Sequence, residues 1–476
     1  MRSYGIRWLA VLVVILFATI SVHALEIRGA VAGEFRDGTT SLVDGNSFTW
    51  NPQNFAGFYY DIDHDVGAET LTTTLAWDRR LSGDDPYGIT YTTTDQMKAL
   101  SNALVDMTYG KLRVASIDSA TGKIVMDNKD NAITLSKNKN TEIMPGIYIR
   151  TADNDTLRYY IYKNITDPGT YEIRGSVAGT FNDQSNLDPA DNSFTWNPQN
   201  FAGFYYDIKK DLGTETLTTT LTGDDGRMLS GDYPRGIIYT TSTQSKAFER
   251  ALWGSYRMIG FQAERYFAGY IENTDDEAQN MFYKESTDKN SLSSEQLEKI
   301  LMDEKTNMLV KKGESIKLKE GYELVLKGVN SNGQAYLELL KDGKIVNEAF
   351  IAPFKVDATE YDKTYFYRKD VGEQKNLVII AVHFRSTYKD EEQAVAAVDG
   401  IWQISDMPID VRANTQYGKM VIRSVDGTNG VITMDNKDNT ITLTRKSDIG
   451  LMPGINIRTA DNEILRYYIY RTVTVL

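Results

Sequence analysis

The sequence predicts an all-β protein of tandem β-sandwich modules, the second copy of which is interrupted by an inserted additional β-sandwich module. Three observations predict this class. A long stretch of sequence occurs twice, most segments alternate apolar and polar residues with the period of a strand, and turn-forming residues separate these segments. Because a strand with this alternation buries one face, a series of such strands predicts sheets that pack face to face.

The duplication is the strongest of these observations. The seventeen residues 46–62, NSFTWNPQNFAGFYYDI, recur letter for letter at 192–208. Around them, residues 26–75 and 172–221 are identical at 35 of 50 positions without a gap. Agreement over this length indicates two copies of one structural unit.

The second copy contains an insertion. Further along the chain, residues 109–165 and 417–473 agree at 32 of 57 positions. Four residues, 105–108, precede this block in the first copy, whereas 164 residues, 253–416, precede it in the second. Since four residues span at most about 14–18 Å, we expect the two ends of the insert to be neighbours in space.

The N-terminus has the features of a secretory signal peptide. Arg2 and Arg7 precede an apolar run over 8–20, and Val22-His23-Ala24 forms a cleavage site of small-residue type. A membrane span is the alternative, but thirteen apolar residues are too few for a hydrocarbon core of about 30 Å. No later stretch approaches eighteen apolar residues, so we expect no transmembrane anchor in the mature chain.

These observations divide the chain into parts. We assign residues 1–24 to the signal peptide, 25–167 to a truncated first module with one sandwich, and 168–476 to a complete second module. The inserted β subdomain covers about 253–413.

Strand patterns account for most of the sequence. In LRYYIYKNI, Leu157, Tyr159 and Ile161 fall on one face, with Arg158, Tyr160 and Tyr162 on the other. Turn sequences such as Asp342-Gly343 and Asn332-Gly333 predict hairpins within the insert. Helical signals are few: Ser294 followed by EQLEKILMDEK, with a strand as the alternative, and short helices at 96–104 and 244–252.

Composition limits the classes of function. The chain has 476 residues, no cysteine and a formal net charge of −13, so neither disulfides nor a basic nucleic-acid surface is expected. After signal removal only His64 and His383 remain, which excludes a three-histidine metal site within one chain. We interpret His383 as a strand residue with one hydrogen-bond partner and place His64 in a turn. No nucleophile elbow or phosphate-binding loop is present, and we predict no enzymatic activity.

Two acidic patterns resemble calcium loops. Asp61, Asp63 and Asp65 have alternate spacing, but Val66 and Thr72 occupy the positions where an EF-hand needs glycine and an acid. The string MDNKDN, at 126–131 and 434–439, also suits a tight turn between strands, which we favour. We therefore predict no cofactor, and leave open structural Ca²⁺ bound at contacts between subunits.

Aromatic residues and sequons complete the candidate sites. The aromatic residues of the repeated segment favour a sheet core over a sugar-binding platform, because both copies hold them alike; they are Trp50, Phe55, Phe58, Tyr59 and Tyr60, with Trp196, Phe201, Phe204, Tyr205 and Tyr206. Asn154 and Asn164 begin N-x-[ST] sequons and are candidate glycosylation sites, with unmodified surface asparagines as the alternative.

Several strings occur in an order that resembles a known family: EIRGAVAG, FTWNPQNFAGFYYDI, YFAGYIEN, IAVHF, VDGIWQISDMPIDV, YGKM and MPGINIRTADNEILRYYIY. They are similar to the S-layer family duplication domain of methanogenic archaea, from about residue 26 to residue 470. The resemblance implies full-length tandem copies, each built from two connected β-sandwich subdomains, and a C-terminal hydrophobic anchor. This chain departs from it in the truncated first copy and in the lack of that anchor.

The resemblance also implies a function. The chain would be a structural component, self-assembling or accessory, of an archaeal cell-surface S-layer, and its acidic pores would act as a molecular sieve. Its partners would be itself or other S-layer subunits, with N-glycans, no nucleic acid, and an extracellular location. The alternative that we keep is a secreted adhesion or glycan-binding module.

Overall fold

The computed structural model of the chain describes residues 20–22, 25–36, 47–76, 79–83, 86–94, 105–129, 131–153, 155–181, 192–223, 226–231, 233, 235–273, 276–389, 393–437 and 439–476. Within these residues it contains forty strands and one α-helix of five residues. The predicted all-β class is confirmed. The domain boundaries given above stay a prediction.

Strands are numbered in chain order. Those up to residue 181 are β1 (Ile20–Val22), β2 (Leu25–Arg28), β3 (Ala32–Arg36), β4 (Ser47–Trp50), β5 (Glu69–Thr74), β6 (Arg80–Leu81), β7 (Gly88–Thr94), β8 (Thr108–Tyr109), β9 (Leu112–Asp118), β10 (Lys123–Asp127), β11 (Ile133–Thr134), β12 (Asn140–Met144), β13 (Ile147–Thr151), β14 (Thr156–Ile165), β15 (Gly169–Arg174) and β16 (Ala178–Phe181).

The next strands run to residue 410. They are β17 (Ser193–Trp196), β18 (Glu215–Thr220), β19 (Met228–Leu229), β20 (Gly236–Ser242), β21 (Gln244–Ala247), β22 (Ser255–Phe261), β23 (Glu264–Tyr270), β24 (Gln296–Glu304), β25 (Met308–Lys311), β26 (Ser315–Lys317), β27 (Tyr322–Val329), β28 (Ala335–Lys341), β29 (Lys344–Ile351), β30 (Thr364–Val371), β31 (Gln374–Lys389), β32 (Ala394–Ile404) and β33 (Ile409–Asp410). The helix α1 is Met281–Glu285, and 3₁₀ turns lie at Ala251–Trp253, Ala278–Asn280 and Leu292–Ser294.

The last strands return to the repeated sequence. They are β34 (Gln416–Tyr417), β35 (Met420–Asp426), β36 (Val431–Asp435), β37 (Ile441–Thr442), β38 (Asp448–Met452), β39 (Ile455–Thr459) and β40 (Leu465–Val475).

The two copies of the repeat form the same sheets. In the first repeat, one sheet has the order β4-β5-β7-β10-β9-β8, and a second has the order β12-β13-β14-β2 with β3 also on β14. In the second repeat, the order β17-β18-β20-β36-β35-β34 reproduces the first sheet strand for strand. Strands β38, β39 and β40, with β15 and β16 on β40, reproduce the second sheet. Identical sequence therefore gives identical strand order.

The two sheets of each repeat pack on each other through aromatic rings. Trp50 of β4 is buried against Tyr159 of β14, with ring centroids 5.9 Å apart. The equivalent rings of Trp196 and Tyr467 lie 5.7 Å apart. A Cβ added at Gly29 would lie 2.6 Å from the Trp50 ring, so the backbone at this point requires glycine.

The insert has its own sheets and core. Its larger sheet has nine strands, in the order β21-β22-β23-β24-β32-β31-β30 with β25 and β33 at its sides, and its smaller sheet has the order β26-β27-β28-β29. Between them lies a core that includes Trp253, Phe282 and Trp402. The hairpins expected at Asn332-Gly333 and Asp342-Gly343 join β27 to β28 and β28 to β29.

The chain leaves the second repeat after β20 and rejoins it at β34. Ser242, the last residue of β20, lies opposite Val431, the first residue of β36. In the first repeat the equivalent strands pair in the same way, with Thr94 opposite Lys123. The strands on either side of the insert, β20 and β34, are separated in the sheet by β36 and β35, and the pairing of β20 with β36 keeps the sheet continuous. That the two ends of the insert are neighbours stays a prediction.

Two helix predictions were wrong. The segment after Ser294 is strand β24, because Leu297 and Ile300 are buried in a sheet that lies between two cores. Residues 244–252 begin with strand β21, which pairs with β22, and end in the first part of a 3₁₀ turn. In both places the available ladder partners override a weak helical periodicity. The helix predicted at 96–104 lies outside the described residues.

The predicted signal peptide is described only in part. Within residues 1–24 the structure describes Ile20–Val22, and this short strand pairs in parallel with Val473–Val475 of β40. Cleavage after Ala24 stays a prediction. Among the described residues, no helix has both the length and the apolar character that crossing a membrane requires.

Candidate functional site: the contact between the two repeats

The two repeats bind each other through reciprocal contacts. Arg28 of β2 donates to the carbonyl oxygens of Pro198, Phe201 (3.2 Å) and Phe204 (3.5 Å) in the second repeat. In the opposite direction, Arg174 of β15 donates to the carbonyl oxygens of the first repeat that correspond to the last two, those of Phe55 (3.4 Å) and Phe58 (3.5 Å). Each repeat contributes one donor arginine and also the carbonyl oxygens that accept from the arginine of the other repeat. The contact therefore has approximate two-fold symmetry.

Main-chain hydrogen bonds also connect the two repeats in both directions. The Val31 amide donates to the Gln199 carbonyl at 2.9 Å, and the Val177 amide donates to the Gln53 carbonyl at 2.9 Å. These bonds join the loop after each EIRG strand to the WNPQNF turn of the other repeat. These two main-chain bonds add to the arginine contacts, and they help to fix the orientation of the repeats without depending on a flexible side chain.

Each crossing arginine also lies between two tyrosine rings. The Arg28 guanidinium is 5.1 Å from the Tyr206 ring centroid and 5.9 Å from that of Tyr160. Arg174 lies at the equivalent distances, 5.1 Å from Tyr60 and 5.9 Å from Tyr468. Burial lowers the pKa of both arginines from its ordinary value, and the electron-rich ring faces partly offset this desolvation.

A second pair of arginines reaches the loop after each FYYDI segment. Arg466 donates to the carbonyl oxygens of Ile62 at 3.1 Å and Asp63 at 3.0 Å. Its equivalent, Arg158, donates to the carbonyl oxygen of Ile208 at 3.4 Å. Small apolar clusters adjoin both arginines, with Ile62 beside Tyr468 and Tyr470 on one side, and Ile208 beside Tyr160 and Tyr162 on the other.

The symmetry fails at one loop. The Asp63 carboxylate accepts from the Asp461 amide at 2.7 Å, and the Asp63 carbonyl accepts from the Asn462 side chain at 3.0 Å. In the second repeat Lys209 replaces Asp63. A lysine at the equivalent position has no carboxylate, so it cannot form the bond that the Asp63 side chain accepts from the Asp461 amide.

These contacts explain most of the aromatic cluster. Trp50, Phe55 and Phe58 are buried in the first core as expected, and Trp196, Phe201 and Phe204 are buried in the second. Tyr60 and Tyr206 instead lie at the contact between the repeats, packed on its apolar clusters. Tyr59 is 70% exposed, so the core assignment was wrong for this residue.

The sequence predictions missed the four arginines. Arg28, Arg174, Arg158 and Arg466 occur in the strings EIRG and LRYYIY of both copies. The strand period places Arg158 and Arg466 on the face opposite the sandwich core, together with tyrosines. That combination was the available signal, because a face that carries large tyrosines beside a repeated arginine is suited to burial against another surface.

His383 lies in strand β31 as predicted, but it has more than one partner. Its Nδ1 contacts the Asp399 carboxylate, and its Nε2 lies 3.2 Å from Glu360 and 3.1 Å from Arg250. Burial and the Arg250 charge lower the pKa of His383 below its ordinary value. Because Arg250 also pairs with Glu360 at 2.7 Å, the cluster is a mutually compensated ion network within the insert.

His64 lies in an exposed turn, where its Nδ1 is 2.7 Å from the Asp61 carboxylate. Asp65 accepts from the Tyr60 hydroxyl at 2.7 Å. The three acids of this loop thus have partners within the protein, since Asp63 binds the second repeat. Over the part of the chain that the structure describes, no group of three histidine, aspartate or glutamate side chains is arranged to hold a metal ion.

The first asparagine of each MDNKDN segment forms hydrogen bonds with backbone groups of neighbouring strands and of its own turn. Asn128 accepts from the Ile89 amide at 2.7 Å and donates to the carbonyl oxygens of Leu81 and Asn131. Asn436 makes the same three bonds in the second repeat. Both copies therefore use this asparagine to satisfy buried backbone groups.

The two sequons are in different positions. Asn164 lies in β14 with an exposed side chain, and its backbone pairs with Glu26. Asn154 lies outside the described residues. Glycosylation of both stays a prediction.

The insert is joined to the second repeat by a buried carboxylate. Glu215 is fully buried, and its Oε1 accepts from the Ala263 amide and the Tyr239 hydroxyl, each at 2.8 Å. Thr214 accepts from the Gly260 amide at 2.7 Å. The Ala263 and Gly260 amides belong to hairpin β22–β23, so the insert binds the sheet of the second repeat through this hairpin. Burial raises the pKa of Glu215 to about 7.

The fold and these contacts define a class of protein: a chain of interlocked β-sandwiches, joined through buried arginines and a buried carboxylate. Comparison with known proteins makes the class specific. The family described as S-layer protein matches residues 39–103 and 185–461. The chain belongs to this family, and membership assigns it to the extracellular cell surface.

Curated relatives carry the same description. The chain is 32% identical over 382 residues to a protein named Major S-layer protein from Methanosarcina acetivorans, a match that covers 78% of this chain and 50% of that protein. It is 28% identical over 372 residues to the Major S-layer protein of Methanosarcina mazei, covering 76% and 49% respectively. The chain thus spans about half the length of the curated relatives it matches.

We expect the crossing arginines to contribute strongly to stability. Replacing Arg28 with methionine keeps much of the apolar stem but leaves three carbonyl oxygens without their donor, which should lower the free energy of unfolding by about 1.5–3 kcal/mol. Arg174→Met should have a similar effect. Arg80, which is exposed in β6, provides the control, and Arg80→Met should change stability by less than about 0.5 kcal/mol. Denaturant unfolding measures all three, and equal values for Arg28→Met and Arg80→Met would contradict the assignment.

We expect Glu215 to make stability depend on pH. Its folded pKa of about 7 lies above its ordinary 4.5, so between these values the folded state keeps a proton that the unfolded state has lost. The free energy of unfolding of the native chain should therefore fall as pH rises through this window, by about 3 kcal/mol in total from this group. Glu215→Gln removes this contribution.

The measurement is a pair of urea-unfolding profiles from pH 4 to 8 for the native chain and Glu215→Gln. The two proteins should be most alike near pH 4, where the native carboxyl is neutral, and this end of the profile is the internal control. Toward pH 7 the variant should become relatively more stable. Parallel profiles would show that the carboxyl does not titrate in this window.

Proposed function

We propose that this chain is a structural subunit of an S-layer, and that it works by contact between folded modules and not by chemical conversion of a substrate. The observation that carries the proposal is the match, over most of the chain, to relatives named Major S-layer protein. The geometry supports it, because a lattice subunit must hold its modules at fixed angles. The reciprocal arginine contacts and the buried joint at Glu215 do this within the chain.

Ion pairing inside the insert agrees with such a role. Several enclosed charged side chains are paired within the insert, such as Lys246 with Asp303 at 2.7 Å and the network around His383. Charges paired in this way stabilise a particular geometry of the surrounding strands. We propose that the partners of the chain are further copies of itself or other S-layer subunits.

Assembly of the purified protein tests this proposal. The chain from residue 25 onward should form ordered sheets, visible by negative-stain electron microscopy, on its own or on isolated cell envelopes. Sheets formed alone identify a lattice builder, and decoration of envelopes alone identifies an accessory subunit. Addition and chelation of Ca²⁺ should be compared, because carboxylates of neighbouring subunits can complete a calcium shell. Dispersed monomers under every condition would overturn the structural role.

We further propose that pores between the subunits act as an acidic sieve. With a formal net charge of −13, the chain should repel small anions more than neutral solutes of equal size. This discrimination should weaken as ionic strength rises from about 0.01 M to 1 M, because the Debye length falls from about 30 Å to 3 Å. Flux of a matched anionic and neutral dye through assembled sheets measures it, and a ratio independent of salt would refute the electrostatic mechanism.

A further inference from the structure

The first repeat retains the binding surface that the insert covers in the second. Glu69, Tyr91, Tyr59 and Tyr109 are the equivalents of Glu215, Tyr239, Tyr205 and Tyr417. We call these four residues of the first repeat the open face. Glu69, Tyr91 and Tyr109 lie on strands with the same order in both repeats, and Tyr59 lies in the loop between β4 and β5.

The acceptor on the open face is already organised. The Tyr91 hydroxyl donates to Glu69 Oε1 at 2.7 Å, as the Tyr239 hydroxyl donates to Glu215 Oε1 at 2.8 Å. In the second repeat the same carboxylate oxygen also accepts the Ala263 amide, and the Tyr239 hydroxyl oxygen accepts the Gln262 amide at 3.1 Å. Glu69, which is half-buried, and Tyr91, which is 7% exposed, therefore hold two acceptor oxygens in the arrangement that binds two consecutive backbone amides in the second repeat.

The rings beside this acceptor have different surroundings in the two repeats. Tyr205 is partly buried, and Arg265 of the insert lies 5.3 Å from its ring. Tyr417 packs against Phe261 of the insert, with ring centroids 5.4 Å apart. Their equivalents Tyr59 and Tyr109 are 70% and 36% exposed. In the second repeat the equivalent surface binds a hairpin of the insert, and this hairpin shows what kind of structure the open face could bind.

The second repeat shows which chemistry fits. The hairpin β22–β23 turns at Gln262 and Ala263, both with positive φ (53° and 63°), so their amides project together from the tip. Phe261 precedes the turn and Arg265 follows it, and these two side chains meet the tyrosines. An occupant of the open face needs the same three parts: two adjacent turn amides, an aromatic ring before them and a cation after them.

We propose that the open face binds a β-hairpin of this kind from a neighbouring S-layer subunit, and so forms one of the contacts between subunits. The inference rests on the proposed structural function and specifies one of its contacts. The bond from Gly260 to Thr214 has no equivalent, because Ala68 replaces Thr214 in the first repeat. The contact in trans is therefore weaker than the joint within the second repeat, which suits reversible assembly.

A peptide tests the contact without requiring a lattice. The probe is a cyclised, fluorescently labelled peptide of residues 255–270, SYRMIGFQAERYFAGY, added to the full chain, and its binding is followed by fluorescence anisotropy. We expect saturable binding that weakens at least tenfold in Glu69→Ala and in Tyr59→Ala. Tyr388→Ala removes a tyrosine of similar exposure on the insert and should bind like the native chain. A peptide with Phe261→Ser and Arg265→Ser should bind at least tenfold more weakly.

The outcomes separate this inference from the proposed function. Circular dichroism and thermal melting must first show that the Glu69→Ala and Tyr59→Ala chains are folded; if Glu69→Ala is not, Tyr59→Ala, which alters an exposed side chain, decides the test. No saturable binding up to millimolar peptide, or equal binding by both variants and the native chain, would overturn the open-face contact even where ordered sheets form. Binding to the open face in a chain that never assembles would support the contact and count against the lattice role.

Discussion

The arrangement of this protein depends on two buried arginines that cross between its repeats. Arg28 and Arg174 each leave their own sheet, lie between tyrosine rings and donate to backbone carbonyl oxygens of the other repeat. A buried guanidinium without such acceptors is strongly destabilising, so a rotation of one repeat that kept the arginines buried but moved the carbonyl oxygens away would be unfavourable. This constraint fixes the orientation of both sandwiches and therefore the direction in which the insert projects.

The same constraint accounts for the seventeen residues that recur unchanged. The segment 46–62 supplies core residues to its own sandwich and carbonyl acceptors to the arginine of the other repeat. A substitution within it would disturb packing on one side and hydrogen bonding on the other. Two independent physical demands on one segment leave few acceptable alternatives.

Because the second repeat contains the insert and the first does not, the surface around Glu215 and the equivalent surface around Glu69 have different surroundings. Around Glu215 the surface is closed by the insert, whereas among the described residues of the first repeat Glu69 is partly exposed and Tyr59 is 70% exposed. Local sequence is almost the same in both places, yet the carboxyl in the second repeat loses contact with water and its pKa rises to about 7. The insert that packs on Glu215 thus gives this carboxyl a different environment from that of Glu69.

The sequence by itself determined the all-β class, the repeats and the strand faces, because period-two alternation and duplicated strings are local properties: Leu157, Tyr159 and Ile161 face the core as their spacing requires. Only the tertiary structure decided what covers the opposite face, where Tyr160 and Tyr162 meet Ile208. It also decided that the segment after Ser294 is a strand, since hydrogen-bonding partners distant in sequence supply the ladder. Contacts between residues far apart along the chain leave no periodic signal, so burial by another module is decided only by the folded arrangement.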